Sequence, residues 1–141
     1  MRVRHLRGVR YAHLADPADR TSPAVPVAGI AEEAPHIFPQ VPGGLDPLIG
    51  PALGELPQSD NAFLLDAWVP EGASPDGAPS LPESAPSNAA SPEAASPDAA
   101  PTLPVLVMVP GGAFISGAGT VRWYDGERLA REGMVVVVPN Y

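Results

Sequence analysis

Short runs of apolar residues set the framework that this sequence predicts. Residues 103–109 and 134–138 are apolar at almost every position, which is typical of strands inside a sheet that is covered on both faces. Residues 62–69 form a third apolar run between polar residues and Pro70, and residues 7–12 could form a fourth, shorter strand. The chain therefore has several predicted strands, two of which should be fully buried.

A short helix is predicted between the last two strands. Residues 124–132 have an apolar side, with Asp125 as a plausible N-cap and Gly133 as the left-handed residue after the helix. Strand, glycine turn, helix and strand in succession predict an α/β sheet. Two or three strands and one helix cannot cover such a sheet on both faces, so we expect the front of a larger fold.

Residues 71–104 differ from the rest of the chain in composition. Nine of these 34 residues are Ala, eight are Pro and six are Ser, with five acids and no base. Such a segment buries too little apolar surface to offset the entropy of ordering it. We therefore predict a loop-rich region with the first strands (1–70), a disordered insertion (71–104) and a strand–loop–helix–strand unit (105–141). Deleting residues 72–103 should then leave stability nearly unchanged.

Charge and composition limit the partners and cofactors. Sixteen acidic residues against eight arginines give a net charge of −8, which disfavours nucleic acid and anionic membrane surfaces. The chain has no cysteine, no dinucleotide or P-loop motif, and acids too scattered to suggest a metal site, so no cofactor is expected. No apolar run could cross a bilayer and none follows the basic N-terminus as a signal would, which predicts a cytoplasmic location. The sequence does not indicate an oligomeric state.

The stretch that carries the most chemistry begins where residues 105–109 end. Pro110, Gly111 and Gly112 follow this strand, with more glycines at 117 and 119. Glycines at the carboxyl end of a buried strand permit positive φ and bring backbone N–H groups close to a ligand. Such N–H groups can stabilise negative charge on a substrate oxygen, but a tight turn explains the glycines equally well.

Residues 105–119 resemble the oxyanion-hole loop of the type-B carboxylesterases, the branch of the α/β-hydrolases that includes para-nitrobenzyl esterases and cholinesterases. Three other segments resemble this family in the same order: Gly-Val-Arg-Tyr-Ala at 8–12, the stretch 57–70 ending in Asp-Ala-Trp-Val-Pro, and residues 124–141 with Tyr-Asp-Gly and Asn-Tyr. The resemblance implies the N-terminal part of an α/β-hydrolase fold, with an incomplete mixed sheet interrupted by the Pro/Ala/Ser-rich insertion.

The resemblance also implies roles for individual residues. The backbone N–H groups of Gly112 and Ala113 would be oxyanion donors, Gly111 would shape the turn, and Phe114 would pack beside the substrate pocket. The implied substrate is a small-molecule carboxylic ester, cleaved through a serine acyl-enzyme without a cofactor. Several positions depart from the family pattern: Pro110 replaces a His, Asn61 an acid, Ala62 a cysteine and Asp66 an Asn.

The residues of a catalytic triad are not found in this chain. No Gly-x-Ser-x-Gly elbow is present, and the stretch before Ser116 is not such an elbow. His5, His13 and His36 precede the loop, the wrong order for this fold, and are expected to be exposed loop residues. Trp68 and Trp123 are expected to be packing residues.

The chain alone should therefore not hydrolyse esters. The alternatives are a non-catalytic esterase-like protein that binds a partner, and a truncated gene product that does not fold.

Overall fold

The computed structural model describes residues 1–40, 56–71, 103–112 and 116–141. Its strands are β1 (Val3–Arg10), β2 (Ala12–Leu14), β3 (Ala24–Pro26), β4 (Leu64–Pro70), β5 (Val105–Val107) and β6 (Val135–Pro139). A 3₁₀ turn at Arg122–Tyr124 precedes the helix α1, Glu127–Arg131.

Four of these strands form one mixed sheet in the order β1-β4-β6-β5. β4 is antiparallel to β1 and to β6, whereas β5 and β6 are parallel and are connected through α1. Strands β2 and β3 form a separate antiparallel pair. The predicted short strand at residues 7–12 is in fact divided between the longer β1 and the separate β2.

The prediction that β5 and β6 are covered on both faces is wrong. In β5, Val105, Leu106 and Val107 are 62%, 37% and 56% exposed, and this strand is at the edge of the four-stranded sheet. In β6 only Val136 and Val138 are fully buried, while alternate residues are half-buried. The physical reason is that α1 packs on one face of the sheet, and no described helix covers the other.

The packing of α1 depends on a close approach at its first residues. A Cβ on Gly126 would lie 2.6 Å from Val136 Cγ1 and 2.8 Å from Trp68 Cε3, so only glycine fits at this position. Asp125 is not the N-cap as predicted: Gly126 occupies that position, and Asp125 Oδ1 instead accepts a hydrogen bond from the Glu127 amide at 2.9 Å. The backbone turns after the helix at Gly133, with the predicted positive φ of 94°.

The two tryptophans have different environments. Trp68 is 5% exposed and packs in the cluster beneath α1, as predicted. Trp123 is 63% exposed, so the prediction that it is a packing residue is wrong. Its place in a 3₁₀ turn with no buried residues leaves the indole without a core to enter.

The predicted insertion at residues 71–104 lies outside the described residues except at its ends. There, the Glu71 amide donates to Arg2 O at 2.9 Å, and Pro104 O accepts from the Val135 amide at 2.8 Å. Across the described ranges, no helix has the length and apolar character needed to span a bilayer.

Candidate functional site

An open pocket of about 230 Å³ lies at the carboxyl end of β5. Its walls come from three separate parts of the chain: the loop after β5, the loop before β4 and the C-terminal residue of the chain. The lining residues are Phe38, Pro39, Gln40, Pro110, Gly111, Gly112, Ser116, Gly117, Ala118 and Tyr141. Two of the four predicted site residues, Gly111 and Gly112, are therefore at the pocket, whereas Ala113 and Phe114 lie outside the described residues.

Gly112 is the position where the loop requires glycine. A Cβ at this residue would overlap the carbonyl oxygen of Ser116, whose own amide donates to Gly112 O at 3.1 Å. Gly111 has room for a side chain, since the nearest atom to a Cβ there is Tyr124 Oη at 3.7 Å. Neither residue has the positive φ that the sequence suggested, which occurs instead at Gly117, with φ of 139°. Close approach of the backbone is thus what excludes side chains from position 112.

The two glycine amides have different partners. The Gly111 amide donates to the hydroxyl of Tyr124 at 2.7 Å. No acceptor for the Gly112 amide is found among the residues that the structure describes. At this turn the Gly111 amide helps to hold the loop, and Gly112, which carries the next backbone donor, lines the pocket.

Pro110 ends the pairing of this segment with β6. The last backbone hydrogen bond that the described segment donates to β6 runs from the Met108 amide to Val137 O at 2.8 Å, and the next ladder donor would fall two residues later, where proline has no N–H. Pro110 is buried, and its carbonyl accepts a hydrogen bond from the Tyr141 hydroxyl at 2.9 Å. The proline in place of the family's His is therefore compatible with the shape of the turn.

A side-chain amide from the loop before β4 reaches the other side of the glycine loop. Gln40 Nε2 donates to Gly117 O at 2.6 Å, and Gln40 Oε1 accepts from the Gly117 amide at 2.8 Å. Nearby, the fully buried Ile37 packs against Ala118 and Val121. Sequence reasoning missed Gln40, because it stands in a Pro-rich stretch with no local pattern.

Asn140 forms hydrogen bonds with three separate segments of the chain. Its side chain accepts from the Gly119 amide at 2.9 Å and donates to His36 O at 3.1 Å, and its carbonyl accepts from the Tyr11 hydroxyl. The residue is 3% exposed, and burial raises the pKa of Tyr11. The Asn-Tyr pair of the family resemblance was the only sequence signal for this residue.

The histidines do not line the pocket, and each differs in one respect from the predicted exposed loop residue: His5 and His13 are exposed but are on strands, and His36 is on a loop but is half-buried. His5 is on β1, where its ring stacks on Trp68 with centroids 4.4 Å apart and contacts Asp66 Oδ2 at 3.3 Å. His13 is on β2 and not on a loop. His36 is on a loop but is half-buried, close to the carbonyls of Ala34 and Asn61.

Ser116 lines the pocket, and its buried Oγ has no hydrogen-bond partner among the described residues. Among the described residues that line the pocket, none has an imidazole or carboxylate side chain that could remove the hydroxyl proton. No group of three or more His, Asp and Glu residues in the described ranges is placed to hold a metal ion.

Several known proteins are similar to this chain in sequence or in fold. The sequence model of the Carboxylesterase family matches residues 25–141. The Probable N-octanoylanthranilate hydrolase AqdA2 of Rhodococcus erythropolis is 33% identical over 140 residues, which cover 99% of this chain and 24% of that protein. The Fumonisin B1 esterase of Sphingopyxis macrogoltabida is 54% identical over 37 residues, 26% of this chain and 7% of that protein.

A solved PNB esterase structure superposes on 99% of this chain and 23% of its own, with a TM-score of 0.58 and 24% sequence identity. This match confirms the predicted fold, the N-terminal part of an α/β-hydrolase with a mixed sheet. The chain spans about a quarter of the length of the relative that it matches throughout. The family model matches residues 25–141, which are most of this chain, so the chain belongs to the carboxylesterase family.

Proposed function

We propose that this chain forms the N-terminal part of a type-B serine carboxylesterase that hydrolyses small-molecule carboxylic esters. Two relatives carry names of hydrolytic enzymes, a hydrolase and an esterase, which supports hydrolysis as the class of reaction. The nucleophilic serine, the acid and the histidine come from outside these 141 residues, since the sequence has no Gly-x-Ser-x-Gly elbow. The proposed location is the cytoplasm, and the charge of −8 argues against nucleic acid or an anionic membrane as a partner.

In the proposed reaction, this chain stabilises charge. A serine hydroxyl attacks the ester carbonyl carbon and gives its proton to a histidine, while the carbonyl electron pair moves onto oxygen. The amides of Gly112 and Ala113 would donate to that oxyanion, Gly111 would shape the turn, and Phe114 would border the ester. When the oxyanion collapses, the alcohol leaves with the histidine's proton, and water then releases the acid in the same two steps.

One observation carries the proposal: Gly112 lines the pocket, and its amide has no acceptor among the described residues. The neighbouring Gly111 amide is occupied by Tyr124, so the loop is fixed without using the next donor. Donors that are fixed before the reaction stabilise developing charge without reorganising. Position 112 excludes every side chain, as expected where the backbone itself makes the contact.

We predict that Gly112→Pro lowers kcat of the full-length enzyme at least ~10²-fold, because it removes one oxyanion donor and its ring also overlaps the Ser116 carbonyl that packs on this position. The measurement is hydrolysis of a para-nitrophenyl ester, together with the Kd of a trifluoromethyl ketone, which forms the same oxyanion with the catalytic serine. The affinity for the ketone should fall with kcat. Circular dichroism of the variant checks that the fold is retained.

Wild-type turnover in a folded Gly112→Pro variant would contradict the role of this amide. A full-length protein with Gly or Ala at the elbow serine, and without hydrolysis of any ester, would instead favour the non-catalytic binding protein. The sequence encoded after Tyr141 separates these two functions directly.

A further inference from the structure

The contact between Gln40 and Gly117 links two segments that are 77 positions apart in the chain. The carboxamide of Gln40 binds both the N–H and the C=O of Gly117, at 2.8 Å and 2.6 Å. Two antiparallel hydrogen bonds to one residue fix its peptide planes as well as its distance, which a single bond cannot do. Gln40 therefore sets the orientation of the backbone at Gly117.

The backbone at Gly117 in turn packs directly on the glycines at the end of β5. A Cβ on Gly117 would lie 2.5 Å from the carbonyl oxygen of Gly111 and 3.6 Å from Gly112 Cα. The Ser116 amide, one residue earlier, donates to Gly112 O. Any rotation at Gly117 must consequently move Gly112.

The backbone of Gln40 is itself held by contacts with the segment before β4. The backbone N–H of Gln40 donates to Gln58 Oε1 at 3.1 Å. The fully buried Ile37, three residues earlier, pairs with Gln58 through an isolated β-bridge. Ile37 also packs against Ala118, the residue that follows Gly117 in the chain. The side chain of Gln40 thus extends from a backbone that is held by Gln58 to the backbone of Gly117.

Resting on the function proposed above, we propose that Gln40 is a positioning residue: by holding both polar groups of Gly117, it keeps the Gly112 amide where the oxyanion forms. The proposed role is to hold the loop and not to donate to the oxyanion, because both the oxygen and the nitrogen of the carboxamide bind Gly117. Its effect should therefore appear when charge develops on the substrate oxygen, and not when the ester binds.

The test compares Gln40→Met with Gln58→Met in the full-length enzyme, using para-nitrophenyl esters. Methionine keeps the length of the side chain and removes its hydrogen bonds. We expect kcat of Gln40→Met to fall about 10-fold to 10²-fold with KM little changed, since small misplacements of catalytic groups have effects of this size. Gln58→Met removes one hydrogen bond to the backbone N–H of Gln40 but leaves both bonds between Gln40 and Gly117, so its kcat should fall less than that of Gln40→Met.

Gln40→Glu gives a readout that a merely structural role would not produce. An ionised carboxylate can accept from the Gly117 amide but repels Gly117 O, whereas the protonated form donates to it. The ratio of kcat in this variant to kcat in the wild type should therefore rise as pH falls through the pKa of the new carboxyl. A ratio that is independent of pH, or wild-type kcat in Gln40→Met, would overturn the positioning role and leave the esterase proposal intact.

Hydrogen exchange separates this inference from the function itself. The Gly117 amide should exchange faster in Gln40→Met than in the wild type and in Gln58→Met, whether or not an ester is hydrolysed. Unchanged exchange would overturn the inference alone. A wild type that neither hydrolyses an ester nor binds a trifluoromethyl ketone would overturn the esterase proposal, and with it the catalytic role of Gln40.

Discussion

Asp66 is a buried carboxylate whose contacts are made by β1. Its side chain accepts from the Gly8 amide at 2.9 Å and contacts His5 at 3.3 Å, and the residue is 3% exposed. Gly8 has a positive φ of 65°, and a Cβ there would overlap the carbonyl oxygen of Glu33. Asp66 therefore satisfies the donor of a residue whose backbone is bent at an irregularity between Leu6 and Val9.

We predict that Asp66→Ala lowers the free energy of unfolding by about 1–3 kcal/mol, because it leaves the buried Gly8 amide without an acceptor. Asp66→Asn should cost less, since the amide oxygen still accepts that bond. Urea denaturation of the full-length protein measures both. Equal stabilities of the alanine and asparagine variants would contradict the assigned contact.

At the scale of elements, Arg10 connects the end of β1 to its neighbours. Its guanidinium forms two hydrogen bonds with Glu33 and also donates to the carbonyls of Ala12 and Asn61 at 3.1 Å and 3.2 Å. Hydrogen bonding to Arg10 lowers the pKa of Glu33, and the same contact raises the pKa of Arg10. One side chain thus joins β1, β2 and the loops before β4.

This ion pair predicts a direction of pH dependence. A glutamate whose pKa is lowered on folding stabilises the protein above its unfolded pKa of ~4.3 and loses that contribution as pH falls through the folded pKa. Glu33→Gln should therefore have a lower urea midpoint than the wild type at about pH 7, and this difference should shrink towards about pH 3. The half-exposed Glu33 makes the effect small. A difference in midpoint that does not change with pH would contradict this explanation.

The sheet shows how far local pattern could predict the elements. Apolar runs correctly located β4, β5 and β6, because a strand must be apolar wherever it is covered. They did not predict how many faces are covered, since that depends on which elements pack against the strand: Val136 is buried under α1, but Val105 is 62% exposed at the edge. Continuous apolar character therefore identifies a strand more reliably than its burial.

At the scale of the whole molecule, the strand order constrains the connection between β4 and β5. These strands lie on either side of β6, so Pro70 and Pro104, both level with Met134, are two strand spacings apart, about 9.6 Å. Joining Glu71 directly to Pro104 would leave two Cα steps for this span, about 7.6 Å at most. This geometry argues against deletion of residues 72–103 without effect, and a thermal melt of that variant tests the expectation.

A shorter deletion should be tolerated. Removing residues 75–100 from the full-length protein leaves seven of the 33 residues between Pro70 and Pro104 to cross β6, and lowers the entropic cost of closing the loop by about 1.4 kcal/mol. We expect Tm to be unchanged or to rise by a few degrees in a thermal melt, whereas deletion of 72–103 should lower it. A marked drop in Tm for the shorter deletion would show that residues 75–100 contribute to the folded structure.

The pocket was only partly predictable from the sequence. Its glycine loop has a local signature, since a strand followed by Gly111 and Gly112 differs visibly from its surroundings. Gln40 has none and Asn140 has only the Asn-Tyr pair of the family resemblance, because each acts through partners far away in the chain: Gly117 for the first, His36 and Gly119 for the second. Polar side chains that hold a distant backbone are found from coordinates, and seldom from a single sequence.

The separation between Gln40 and Gly117 also has a consequence for the order of folding. Contacts between distant positions form after local ones, because a long loop must close before they yield any free energy. We therefore expect the backbone at Gly117 to take its final orientation late, after Gln40 has docked. Among the described strands, the local pair β2–β3 would then form before the contact between Gln40 and Gly117.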